Sequence, residues 1–128
     1  MTIGIRATLP IPYDAVIEKL PGALKSEGFG VLTQIDMKET LREKLGVEFR
    51  RYKIFGACNP PLAFRALQAE LAVGVMLPCN VIAYEEGEGT VVVAIDPMET
   101  IATQSAALRP IAEEVRAKLA RVVDQLAR

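Results

Sequence analysis

Two short runs rich in β-formers, Asn80 to Glu85 and Thr90 to Asp96, flank Glu86-Gly87-Glu88-Gly89. Strands joined by so short a glycine-bearing connection satisfy their backbones by folding back on one another, which predicts a β-hairpin. A lone hairpin is barely stable in water, so the chain must supply further strands or a helix layer to cover its apolar face. At the start, Ile3, Ile5, Ala7 and Leu9 share one face while Gly4, Arg6 and Thr8 take the other, the period of a half-buried strand. Two more strand-like runs complete an expected sheet of five strands, near 2–9, 29–35, 47–57, 80–86 and 90–96.

Helical spacing fills the gaps. Val16, Ile17, Leu20 and Leu24 predict a helix from Tyr13 to Glu27, with Gly28 at the C-terminal cap and with Pro21-Gly22 inside it predicting a kink or short break. Asp36 with Glu39 three positions later is an aspartate version of the capping box, opening a short helix over Met37 to Leu45 that Gly46 closes. Asn59 before Pro60-Pro61 is an N-cap followed by the residue type best suited to a first helical turn. A third helix is therefore expected over Pro61 to Leu71, with Phe64, Leu67 and Leu71 on its buried face. Met98 to Ala107 is ambiguous, with room for one irregular turn. Ile111, Val115, Leu119, Val122 and Leu126 mark a long amphipathic C-terminal helix, whose terminal charges complement its dipole. The sum is an α+β fold: a mainly antiparallel five-stranded sheet with packed helices, in a single domain over 1–128.

Composition narrows the chemistry. The 128 residues include no histidine and no tryptophan, which excludes Ser-His, Cys-His and His-metal mechanisms. Fifteen basic against sixteen acidic side chains leave a net charge of −1, the opposite of the basic stripe that phosphate neutralisation needs, so no nucleic-acid partner is expected. The longest uncharged stretch, Leu71 to Tyr84, is too short to span a bilayer, and Met1 to Leu9 lacks the pattern of a secretory signal. The expectation is a cytoplasmic protein with reduced cysteines and no membrane partner. Hydrophobic residues make up 51% of the chain. Counted with glycine and without tyrosine, the apolar share exceeds the roughly 45–50% of average soluble chains, which favours a homodimer that hides an apolar face.

Two cysteines carry what chemistry is left. Cys58 immediately precedes the Asn59 cap, so its sulfur is expected near the free N–H groups and positive end of the third helix, a setting that favours thiolate. Cys79 stands between Pro78 and Asn80, just before a strand. Both fall in the two longest uncharged stretches, 54–64 and 71–84, and each is followed by asparagine. Plain packing is the competing explanation, since unpaired cysteine behaves as a small buried hydrophobe. With only carboxylates such as Asp36 or Asp96 to complete a ligand set, no spacing supports a metal, and no cofactor is implied. Arg50, Arg51 and Lys53 form a basic cluster and Glu85, Glu86 and Glu88 an acidic one, patterns that usually mark a solvated face or mutual pairing. Arg65, one turn into the third helix, is a better anion candidate, beside the helix N-terminus. The candidate ligand-binding set is thus Cys58, Asn59, Arg65, Cys79 and Asn80, with a small anionic ligand. No catalytic base, nucleophile and orienter can be named together.

The strings GFGVLTQIDMKETLREKL at Gly28 to Leu45, GACNPPLAFRALQAE at Gly56 to Glu70 and LPCN at Leu77 to Asn80, with the close at Ile95, Asp96 and Pro97, resemble a bacterial and archaeal family called domain of unknown function 302. They cover most of the chain; Pro21 and Gly22 depart from the helix formers expected there. The resemblance implies a single α+β domain similar to the TATA-binding-protein-like class of folds, a homodimer, and no established reaction. An association of some relatives with sulfur and redox proteins implies a thiol role for Cys58 and Cys79. DNA binding does not carry over from that fold class, because this chain lacks the basic face. Two functional readings stay open. One is a non-catalytic, homodimeric binding or scaffold domain in which these residues only cap and pack. The other is a small-molecule or thiol-handling site lined by Cys58, Asn59, Cys79 and Asn80.

Overall fold

A computed structural model describes residues 2–100 and 104–128. Its strands are β1 (Ile5–Leu9), β2 (Gly30–Asp36), β3 (Tyr52–Cys58), β4 (Cys79–Glu86) and β5 (Gly89–Ala94). Its α-helices are α1 (Tyr13–Ser26), α2 (Met37–Leu45), α3 (Pro60–Ala69) and α4 (Arg109–Leu126), with short 3-10 turns at Leu71–Met76 and Pro97–Glu99. The strands form one sheet in the order β1-β5-β4-β3-β2, each neighbouring pair antiparallel. The fold is α+β with a five-stranded antiparallel sheet. The β4–β5 hairpin closes at Glu86 opposite Gly89, and Gly87 supplies the positive φ of 59° that its turn requires.

Register explains the layering. Ala7, Leu9, Val92, Ala94, Val81, Ala83, Phe55 and Ala57 fall on one face of the sheet. That face packs against Val16, Leu20 and Leu24 of α1 and Ile111, Val115, Leu119, Val122 and Leu126 of α4 in one continuous core. Leu20, Leu24 and Leu119 have no exposed surface, and burying each contributes roughly 1.5–3 kcal/mol. Thr90 is the polar member of this face, and its hydroxyl is satisfied by donating to the Ile11 carbonyl at 2.8 Å.

Helix ends follow the capping chemistry of the sequence. At the end of α1, Phe29 N–H donates to the Leu24 carbonyl and Gly28 N–H to that of Lys25, each at 3.0 Å, with Gly28 at φ 85°. This is a Schellman closure, and its apolar pair is Leu24 with Phe29, both buried. α2 occupies the expected span: the Asp36 carboxylate accepts from Glu39 N–H at 3.0 Å, and Gly46 ends it at φ 66°.

Four local expectations are corrected. No break divides α1 at Pro21; Pro21 and Gly22 face solvent, so the carbonyl that proline leaves unbonded lies on the wet side. β1 begins only at Ile5, because Gly4 turns at φ 73° and gives its N–H to the Glu99 carboxylate. β3 begins at Tyr52 instead of Val47: Arg51 N–H is taken by the Glu85 side chain, and Val47 to Arg50 are exposed. α3 runs from Pro60 to Ala69 and packs Leu62 and Ala66 inward, leaving Phe64 exposed and Leu71 beyond its end and exposed. In the ambiguous 98–107 segment, residues 101–103 lie outside the described residues, and Met98 belongs to the turn at Pro97–Glu99.

Gly56 in β3 has no room for a side chain, since a Cβ there meets the Thr33 hydroxyl and comes within 2.7 Å of Pro78 Cγ. Gly56→Ala is expected to lower stability by about 1–3 kcal/mol in urea denaturation. An unchanged midpoint would contradict this packing.

Candidate functional site

Asn59 joins three elements. Its Oδ1 accepts from Leu62 N–H at 3.3 Å, capping α3, and its Nδ2 donates to the Glu27 carbonyl at 3.2 Å, just beyond the end of α1. The side chain is buried and engaged at both ends. Gly28 lies so close that a Cβ on it would sit 2.9 Å from Asn59 Nδ2. Asn59 follows Cys58, the last residue of β3, so the same contact sets where strand, cap and helix meet.

Beside this junction, α3, α4 and the ends of β3 and β4 line a half-open cavity of about 330 Å³. Phe29, Leu62, Ala66 and Leu67 line one side, Ile111 and Val115 another, and Leu77, Pro78, Cys58 and Cys79 close the strand end. A smaller recess of about 70 Å³ continues from it past Met76, Ile95 and Leu108, sharing Ala66, Leu77, Cys79, Ile111 and Val115. The main cavity lies at the lower end of the roughly 300–1,000 Å³ usual for small-molecule sites. Its lining contains no charged side chain.

Of the five sequence-derived candidates, Cys58, Asn59 and Cys79 come together here. Asn80 does not: it points to the opposite sheet face, paired with Gly56, and is exposed. Arg65 lies on a separate surface hollow with Glu27 and Lys118, its guanidinium 2.9 Å from the Glu114 carboxylate. The α3 N-terminus also lacks the donors an anion needs. Pro60 and Pro61 have no N–H, Leu62 N–H goes to Asn59 Oδ1, and Ala63 N–H goes to the Asn59 carbonyl. The proline pair that made this helix start legible thus removes the N–H groups expected to face Cys58.

The other charged candidates are occupied. Arg51 contacts Glu85 at 3.1 Å and Asp14 at 2.8 Å, and Arg50 reaches Glu86 at 3.9 Å, so two members of the basic cluster pair with two of the acidic one. Asp96 accepts from Met98 N–H and from Arg116 at 3.0 Å, tying the Pro97 turn to α4. Among the described residues no group of three or more His, Cys, Asp or Glu side chains is placed to hold a metal ion, and no helix is long and apolar enough to cross a membrane. The lining from Met76, Leu77, Ile111 and Val115 was not named in advance. Its signal was the uncharged run 71–84 together with the inward face of the last helix.

Both cysteines are free and partly buried. Burial, and then the neighbouring Cys58, push the Cys79 thiol up to about 11. At neutral pH Cys79 is therefore held as thiol, and the thiolate is the reactive form. In timed alkylation of the native protein between pH 7 and 9, Cys58 is expected to be modified before Cys79; the reverse order would contradict this environment. A thiol whose pKa is higher when folded lends stability that is complete below its ordinary value near 9 and lost as pH rises through about 11. Between pH 9 and 11 the wild type should lose up to about 2 kcal/mol more stability than Cys79→Ala in denaturant titrations.

The family model described as domain of unknown function DUF302 matches residues 5–126. A crystal structure of the uncharacterized conserved protein DUF302 from Bacillus stearothermophilus is similar over 96% of both chains, at 34% sequence identity and a TM-score of 0.87. No curated protein matches. By the family match and by this structural likeness, the chain belongs to the DUF302 family.

Proposed function

We propose that this protein is a non-catalytic, homodimeric binding domain of the cytoplasm whose ligand is a small apolar molecule held between α3, α4 and the ends of β3 and β4. The observation that carries it is the cavity of about 330 Å³ whose lining is apolar apart from Asn59 and two thiols. With no charged group in that lining, the binding energy on offer is apolar burial, roughly 0.8 kcal/mol for each methylene removed from water. Acid–base chemistry finds no support there: the Asn59 carboxamide is spent on the α3 cap and on Glu27, and Cys79 stays protonated. Two unpaired cysteines fit a reducing compartment. Cys58 at the wall gives the site a thiol that an apolar electrophile would meet.

A ligand of the native state raises its melting temperature by an amount that grows with the logarithm of free ligand concentration over Kd. Hexanol, heptanol and octanol should each raise it, with Kd falling roughly fourfold per methylene until the cavity is full. The carboxylates of the same chain length should do less, because their charge has no partner in the lining. Ala66→Trp, which fills the cavity, should abolish the shift. No shift with any alcohol, or a shift that survives Ala66→Trp, would rule the site out.

A further inference from the structure

The recess of about 70 Å³ beside the main cavity shares with it Ala66 of α3, Leu77 and Cys79 at the entry to β4, and Ile111 and Val115 of α4. Walls common to both spaces make a passage from one to the other. On α4 the main cavity rests on Ile111 and Val115, one turn apart, whereas the recess also reaches Leu108 and Ala112, the neighbouring i, i+4 ridge of that helix. Packed interiors hold few voids larger than a water. Room is left here because Ala66 and Ala112, both buried, carry only a methyl group where their helices could present a larger side chain. At its other end the main cavity opens beside Leu32, which is 65% exposed. The path is chemically uniform: among the described residues that line the two spaces, none is charged.

Size decides what can enter each part. An apolar cavity of about 150 Å³ holds one benzene, roughly 25 Å³ per carbon. On that scale the main cavity has room for about thirteen carbons and the recess for about three. A cyclohexyl ring or a tert-butyl group fits the first space and not the second, whereas the end of an unbranched chain fits both. We infer that cavity and recess are one site for a single unbranched alkyl chain, its terminal carbons beside Leu108 and Ala112 and its polar end at the opening by Leu32. The inference rests on the binding function proposed above and names the class of its ligand. Met76, Leu108 and Ala112 line the recess and not the main cavity, so they set the chain length and exclude branched or ring-bearing ends. Met76 is the adaptable wall, since an unbranched thioether chain follows an irregular surface.

The test is calorimetric titration of the full chain with linear alcohols from hexanol to dodecanol, and with 4-cyclohexylbutanol as the ring-ended counterpart of decanol. Ala112→Leu places an isopropyl group in the recess and leaves the residues of the main cavity unchanged. Hexanol should bind the wild type and Ala112→Leu about equally. The gain of roughly fourfold per methylene should stop about two methylenes earlier in the variant, which then holds the wild type's best chain about fifteenfold more weakly. Decanol should bind the wild type about tenfold more tightly than cyclohexylbutanol, and Ala112→Leu should lose that preference. The same chain-length limit in both proteins, or equal affinity of the wild type for decanol and cyclohexylbutanol, keeps the binding site and overturns the recess as part of it. Binding of no alcohol overturns the proposed function and this inference together. If Ala112→Leu fails to fold, the wild type decides: a preference for decanol over cyclohexylbutanol supports the extended site, and its absence overturns it.

Discussion

The Asn59 carboxamide is engaged at both ends, and the cavity wall is arranged around it. Its oxygen starts α3 and its nitrogen holds the carbonyl at the end of α1, while Cys58 one residue back belongs to the sheet. Three elements distant in sequence are thereby fixed at one point. Removing that side chain costs the cap, typically about 1 kcal/mol, and leaves the partly buried Glu27 carbonyl without its donor. The Schellman closure beside it, with Gly28 pressed against the same nitrogen, leaves the chain little freedom to re-route. Leu62, whose N–H closes the Asn59 cap, is one of the two α3 residues that are buried.

The molecule is unevenly built around that point. On one side, α1 and α4 cover the sheet with side chains that retain almost no exposed surface. On the other, the β2–α2 flap makes hydrogen bonds and surface ion pairs such as Lys38 with Glu48, which contribute little in water. The cavity lies between the two regimes, bounded by well-packed α4 residues and by Leu32 at the root of the flap.

What the sequence revealed depended on the range of the interaction. The caps at Asn59, Asp36, Gly46 and Gly28 were legible because each is settled within a few residues by φ and by a nearby donor. The hairpin was legible for the same reason, as was the inward row of α4. The start of β3 was not, because it depends on Glu85, a residue on another strand, capturing Arg51 N–H. The buried face of α3 was misread because Phe64 and Leu71 fit a helical spacing about as well as Leu62 and Ala66; only α4 and the sheet decide between them. In the site, the grouping of Cys58, Asn59 and Cys79 was anticipated from the uncharged runs. The exclusion of Asn80 follows from strand alternation, and that of Arg65 from its pairing with Glu114 on α4. The cavity itself combines residues from Phe29 to Val115, a span over which periodicity carries no information.

A methyl-resolved NMR titration of the full chain with octanol tests the central claim most directly. Resonances of Leu62, Leu67, Ile111 and Val115 should shift together and saturate at one Kd, while those of Leu71 and Val75 stay in place. Shifts confined to the exposed methyls of Ile35, Leu45, Leu71 and Val75, or no saturable shift in the cavity lining, would contradict a binding site there.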